Sequence, residues 1–203
     1  MPLLQIQHIA DDTLLGLWSM DECAEELARQ YPMLIEVYVE ACQRFKYEGK
    51  RRERMSVRAL MVEMNDGALP EVSYNESGKP LLTDGRHISI SHTKGIVAVV
   101  ISEHHPVGVD VEYNSDRVSR VAKRFVREDE WTEDVKSLLI MWSAKETVYK
   151  LFSEDSLWYD EMRVVPFQVL AEGNLEVENL KRENSVQVYY QINKEYVLTY
   201  SIL

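Results

Sequence analysis

The sequence predicts an α+β protein whose strands and helices occur in two broadly similar sets. Three observations carry that reading. Short stretches alternate apolar and polar residues with the period of two that marks a strand, most clearly Val107-Gly108-Val109-Asp110-Val111-Glu112. Elsewhere apolar residues recur near helical spacing, as Met55, Leu60, Met61 and Met64 do beside basic positions. At 203 residues, 45% of them apolar and 28% charged, the chain can bury a sizeable core and reads as globular.

In chain order, Leu3 to Ile9 reads as a strand. Asp21 to Arg29 and Met33 to Phe45 read as helical, and Arg51 to Met64 as a further helix. Gly67, Pro70 and the run Asn75 to Pro80 mark loops. Strands follow at Ile88 to Ser91, Ile96 to Ser102 and Val107 to Glu112, the last two joined by a turn at His105-Pro106. A helix is expected from about Ser119 and another from Thr132 to Phe152. The tail returns to strand pattern at Val164 to Leu170, Leu175 to Val177, Val186 to Ile192 and Tyr196 to Ile202. No repeat of solenoid period and no low-complexity tract is present.

The formal net charge of −11 argues against general nucleic-acid binding, which needs basic surface against phosphates. The charge is unevenly spread: Lys50, Arg51, Arg52, Arg54 and Arg58 make one short stretch strongly basic. No apolar run approaches a membrane span, and the first residues show no secretory signal, so a cytoplasmic protein without a membrane partner is expected. Cys23 and Cys42 have no metal-type spacing and are expected to be reduced thiols.

The chemistry concentrates in two segments. On the strand from Val107, successive side chains point to opposite faces. Asp110 and Glu112 therefore share one face, about 7 Å apart along the strand. In Trp142-Ser143-Ala144-Lys145-Glu146-Thr147-Val148-Tyr149-Lys150, Glu146 and Lys150 lie one helical turn apart. Two strand carboxylates and a helix carboxylate can surround a hard cation. Mg²⁺ accepts such ligands and takes its remaining oxygens from water and substrate phosphates. The plain alternative is a pair of solvated strand carboxylates and a helical ion pair. Acidic residues are poor strand formers, which favours a functional origin for the strand pair.

Gly108-Val109-Asp110-Val111-Glu112 followed by the Trp142 to Lys150 segment resembles the signature of the 4′-phosphopantetheinyl transferase superfamily, closest to its larger Sfp-type branch. Ser77-Gly78-Lys79-Pro80 resembles that family's Gly-Lys-Pro turn, and Ile88-Ser89-Ile90-Ser91-His92-Thr93 its Ile-Ser-His strand end. The four pieces stand in the family's order and cover roughly residues 77 to 150. The resemblance implies two similar α/β halves related by a pseudo-twofold, with the site between them. It places the boundary near Ser102 to Pro106, giving halves 1–104 and 105–203, and implies a monomer. The implied reaction moves 4′-phosphopantetheine from coenzyme A to a serine of an acyl or peptidyl carrier protein, the holo-[acyl-carrier-protein] synthase reaction. It releases adenosine 3′,5′-bisphosphate and uses Mg²⁺, with Mn²⁺ as an alternative.

Carried over residue by residue, the resemblance makes Asp110, Glu112 and Glu146 metal ligands. Glu146 is also a candidate general base, and its division between the two roles stays open. Lys150 would bind a coenzyme A phosphate and stabilise the leaving group. Lys145 matches the motif's other lysine but lies on a different helix face, so contact with coenzyme A and a structural role both stay open. Lys79, Pro80, Ser91 and His92 would line the coenzyme A site. Arg52, before Arg51 and Arg54, is the favoured contact to its 3′-phosphate, although a solvated basic helix face would look the same. Trp142 is expected to pack at the root of the site. The chain departs from the family after Lys150, where Leu151 to Tyr159 has no glycine. Carrier domains are usually acidic, so the negative total charge repels them at long range, which a local basic patch can overcome. Three readings compete: a non-catalytic member that binds coenzyme A or a carrier, an unrelated Mg²⁺ phosphotransferase, and an interaction module. No Walker or kinase signature supports the second.

Overall fold

The computed structural model describes residues 2–203. Two antiparallel sheets form its frame. The first is built from β1 (Leu3–Ala10), β2 (Thr13–Ser19), β5 (His87–Thr93) and β6 (Ile96–Ser102), in the order β1-β2-β6-β5. The second is built from β7 (Val107–Tyr113), β8 (Met162–Val164), β9 (Glu172–Asn179), β10 (Asn184–Ile192) and β11 (Tyr196–Ile202), in the order β7-β11-β10-β9-β8. β3 (Val72–Tyr74) and β4 (Pro80–Leu82) pair as a small separate hairpin. The mixed α and β architecture expected from the sequence is thus observed.

Helices cover the outer faces. α1 (Ala24–Gln30), α2 (Ile35–Arg44) and α3 (Glu48–Glu63) belong to the first sheet's core, where Leu60, Met61 and Met64 pack with Trp18, Val97 and Val99. α4 (Val135–Leu151) covers the second sheet. It starts where the Asp134 carboxylate accepts from the Ser137 amide at 2.8 Å, a side-chain cap on an otherwise orphaned donor. Its Leu138, Met141, Ala144, Val148 and Leu151 then bury against Val177, Val188 and Val197.

The faces turned inward make a third core. Val107, Val109 and Val111 of β7 meet Leu15 and Leu17 of β2, and Ala98 and Val100 of β6. The period of two on β7 therefore sorts its residues as the sequence implies. Valines face the other sheet, while Gly108, Asp110 and Glu112 face α4. At β7 the approach of α4 is close: a Cβ on Gly108 would meet the Thr147 carbonyl oxygen and Leu151. Gly16 stands in the same relation to α3, where a Cβ would meet Met64 and Leu60.

Along one edge the sheets are joined by side chains rather than by a backbone ladder. The outward amides of Val109, Val111 and Tyr113 donate to the hydroxyls of Ser89 (3.0 Å), Ser91 (3.3 Å) and Thr93 (3.1 Å). Alternation on β5 supplies a hydroxyl at every second residue, and β7 presents an edge amide at the same interval. The contacts satisfy donors that an edge strand would otherwise leave open.

Several expectations are corrected. The helix expected from Ser119 is a series of 3-10 turns at Asp116–Arg120, Ala122–Arg124 and Glu128–Glu130. Val118, Ala122 and Phe125 are buried there, which supplied the helix-like spacing. The strand expected from Val164 to Leu170 is confined to Met162–Val164. The region Met33 to Phe45 opens with a 3-10 turn at Pro32–Leu34 before α2. β2 was not expected, and Asn75 to Pro80 is the connection of the β3–β4 hairpin.

Candidate active site

The site lies where β7, α4 and β5 meet. Asp110 is buried at 4% exposure and fully partnered. Its Oδ1 accepts from Lys150 Nζ (2.8 Å) and Ser91 Oγ (2.9 Å), and its Oδ2 from Ser143 Oγ (2.8 Å). Lys150 also donates to Ser91 Oγ (2.8 Å) and to the Val109 carbonyl (2.9 Å). Behind Asp110, Thr199 sits opposite it on β11 and bonds with Ser143 and Thr147. A polar network is thus buried under the site, with its members satisfied.

The two glutamates are held differently. Glu112 Oε1 accepts from Trp142 Nε1 at 2.7 Å, and Glu146 Oε1 accepts from Tyr159 Oη at 2.7 Å. Among the described residues, no side chain bonds the second oxygen of either. Burial pushes the Glu112 carboxyl above its usual range, and the charges of Asp110 and Glu146 add to that. Burial likewise raises Glu146, with Asp110 adding to the shift, while the Tyr159 bond opposes it. Three carboxylates therefore repel one another around one lysine.

That donor set suits a hard divalent cation in charge and in atom type. Among the described residues, no group of three His, Cys, Asp or Glu side chains is already arranged around a metal position. The fit is one of chemistry: the acidic cluster carries excess negative charge, and two glutamate oxygens have no side-chain partner among the described residues.

The remaining expected residues fall in three places. Lys79 and Pro80 join Ser89, Tyr149 and Lys150 in lining a cleft of about 170 Å³, so residues from both ends of the motif set share one recess. The turn before Lys79 is closed by Asn75, whose Oδ1 accepts from the Lys79 amide at 2.8 Å, and Gly78 takes a left-handed φ of 81°. His92 ends near α3, with Nε2 3.9 Å from Glu53 Oε2. Its surroundings push the imidazole below its usual value, chiefly by burial and against the pull of Glu53, with Lys50 and Lys150 adding to the lowering. On α3, Arg52 has a buried Nε without a partner among the described residues. Arg51 instead donates to the Phe45 carbonyl (2.8 Å) and Arg54 to Tyr74 Oη (2.9 Å).

Lys145 and Ser91 are both buried and bonded within the protein. Lys145, for which coenzyme A contact and a structural role are both open from the sequence, is fully buried. Its ammonium donates to Glu130 (2.7 Å) and to the carbonyls of Phe125 (2.8 Å) and Tyr159 (3.2 Å). Ser91 is buried at 7% exposure and committed to Asp110, Lys150 and the Val111 amide. Trp142 does pack at the root of the site, edge-on to Phe125 at 5.0 Å, and also donates to Glu112. Ser143, Thr199 and Tyr159 were not read from the sequence. Ser143 lies inside the helix motif, one residue after Trp142; Tyr159 lies in irregular chain and carries no periodic signal.

Residues 106–201 match the family model described as the 4′-phosphopantetheinyl transferase superfamily. A protein named 4′-phosphopantetheinyl transferase gsp, from Aneurinibacillus migulanus, is 32% identical over 101 residues. That match covers 43% of this chain and 42% of the relative, less than half of the relative's own length. The resemblance read from the motifs is borne out over the segment that carries β7, α4 and the three carboxylates.

Proposed function

We propose that the chain transfers 4′-phosphopantetheine from coenzyme A to a serine of an acyl or peptidyl carrier protein, as an Sfp-type enzyme, releasing adenosine 3′,5′-bisphosphate. The observation that carries this reading is the convergence of Asp110, Glu112 and Glu146 with Lys150 beside the cleft lined by Lys79 and Pro80. The family match over residues 106–201 and the name of the relative support it.

In this reading Asp110, Glu112 and Glu146 would hold Mg²⁺, with Mn²⁺ as an alternative. When bound, the cation neutralises charge on the coenzyme A pyrophosphate. Lys150 would steady a phosphate oxygen from the edge of the cleft. Lys79 and Pro80 would position the nucleotide end, and His92 and Arg52 would meet phosphates from β5 and α3. Glu146 is the candidate to receive the serine proton, since Glu112 sits further along β7 against Trp142.

The reading divides the chain into halves 1–104 and 105–203 about a pseudo-twofold. What supports this is a shared order, β2-β6-β5 in one sheet and β7-β11-β10 in the other, with Gly16 and Gly108 each under the long helix of its sheet. Such a chain would act as a cytoplasmic monomer, without nucleic-acid or membrane partners. The free Cys23 and Cys42 accord with a reducing compartment, and no described helix is long and apolar enough to cross a membrane.

One observation favours an alternative, a non-catalytic member that binds coenzyme A or a carrier: both Asp110 oxygens already have protein partners. The test is chromatographic. Adenosine 3′,5′-bisphosphate should appear only when coenzyme A, Mg²⁺ and an apo carrier are all present, and should vanish with Glu146→Gln. Coenzyme A binding without release would support the alternative.

A further inference from the structure

We infer that Tyr159 is a positioning residue for Glu146, and that the buried Lys145–Glu130 pair fixes the loop that carries it. The inference rests on the transfer reading and adds a residue to its site.

A glutamate on a helix has several rotatable bonds, so its carboxylate wanders unless something ties it. Tyr159 Oη donates to Glu146 Oε1 at 2.7 Å, leaving Oε2 with no side-chain partner among the described residues. Trp142 treats Glu112 in the same way, bonding Oε1 at 2.7 Å. The two donors are not independent. Their rings lean on each other at 5.3 Å between centroids, and Phe125 packs against both, at 5.0 Å from Trp142 and 6.5 Å from Tyr159. One aromatic cluster therefore sets two carboxylates, each held by one oxygen and presenting the other.

Tyr159 itself sits in a 3-10 turn, Tyr159–Glu161, after a stretch without helix or strand. The turn closes on itself: the Trp158 amide donates to Glu161 Oε2 (2.8 Å), the Glu161 amide to the Trp158 carbonyl (3.0 Å) and the Met162 amide to the Tyr159 carbonyl, but none of these bonds ties it to the helix that carries Glu146. Lys145 supplies that tie from α4. Its ammonium bonds the Tyr159 carbonyl (3.2 Å) and Glu130 (2.7 Å), and both members of the ion pair are buried, at 0% and 1% side-chain exposure. Glu130 closes the clamp by accepting from the Val164 amide just beyond the turn. Lys145 thus pins the backbone of Tyr159 while the hydroxyl of Tyr159 reaches back to Glu146, the next residue on α4. The lysine of the motif that does not reach the site acts on it through this loop.

Tyr159→Phe tests the assignment, because it removes the hydroxyl and keeps the ring. The expected result is a fall in kcat of about tenfold or more, with KM for coenzyme A and for the carrier nearly unchanged. Mn²⁺ binding to the full chain, followed by electron paramagnetic resonance, should weaken several-fold. The melting temperature should hold close to that of the wild type, which separates positioning from folding. Wild-type kcat and wild-type Mn²⁺ affinity in Tyr159→Phe would overturn the inference. A raised KM with unchanged Mn²⁺ binding would also overturn it, making Tyr159 a substrate contact. A wild-type chain that transfers nothing would instead fail the transfer reading, and the Mn²⁺ comparison would still decide the role of Tyr159.

Discussion

Lys150 Nζ lies 2.8 Å from Asp110 Oδ1 and ties the end of α4 to the middle of β7. The lysine side chain is 26% exposed and the aspartate side chain 5%, so the pair joins a buried charge to one at the cleft edge. Removing the lysine leaves Asp110 with two hydroxyl donors and an uncompensated charge. Lys150→Met is expected to cost about 1–3 kcal/mol of stability in urea unfolding, the usual penalty for orphaning a buried polar partner. In the transfer reading it also lowers turnover by more than tenfold.

The two glutamates make a prediction of opposite sign. Burial and neighbouring carboxylates hold Glu112 and Glu146 above their ordinary value of 4.5, so the native chain binds more protons than the unfolded one between that value and the raised one. Their contribution to stability is therefore complete below the ordinary value and is lost as pH rises through the raised one. In EDTA, Glu112→Gln or Glu146→Gln should raise the melting temperature near neutral pH and flatten this part of its pH dependence. A lower melting temperature in both variants would contradict the charge balance described.

A divalent cation should relieve the same repulsion. Adding Mg²⁺ with coenzyme A to the wild-type chain is expected to raise its melting temperature in a concentration-dependent way, by mass action. Chelation should reverse the gain, and Glu112→Gln should shrink it. Differential scanning fluorimetry reads all three.

Gly108 is required by the approach of α4, since an added Cβ meets the Thr147 carbonyl oxygen, which cannot swing aside as a side-chain tip can. Gly108→Ala should cost about 1–3 kcal/mol by overpacking. Because Thr147 follows Glu146, the displaced helix should also lower turnover beyond what the lost stability explains.

Ser89 tests the joint between the two sheets. Its hydroxyl accepts from the Val109 amide at 3.0 Å across the sheet edges. Ser89→Ala leaves that buried amide without its partner and should destabilise the fold by about 1–3 kcal/mol. Urea unfolding of the variant against the wild type reads that loss.

Local period explains which of these parts could be read in advance. Asp110 and Glu112 on one strand face, and Glu146 one turn from Lys150, follow from backbone geometry alone, and the structure keeps both relations. β2 was missed because Leu14, Leu15, Leu17 and Trp18 serve two cores, so its apolar residues do not alternate. The spacing of Val118, Ala122 and Phe125 suits a helix, yet short 3-10 turns bury the same three side chains. Lys145 was legible only as lying on another helix face. Its partners Glu130 and Tyr159 are 15 and 14 residues away in irregular chain, and no periodicity announces them. The bonds of Ser91 run to β7 and α4, which the local motif around it does not announce.

The most direct test of the account is intact-protein mass spectrometry of apo carrier proteins incubated with the chain, coenzyme A and Mg²⁺. The account predicts a carrier heavier by one phosphopantetheinyl group, and no gain with Asp110→Asn, Glu146→Gln or EDTA. Unmodified carriers from fatty-acid, polyketide and peptide systems alike, with the chain folded and binding coenzyme A, would contradict it.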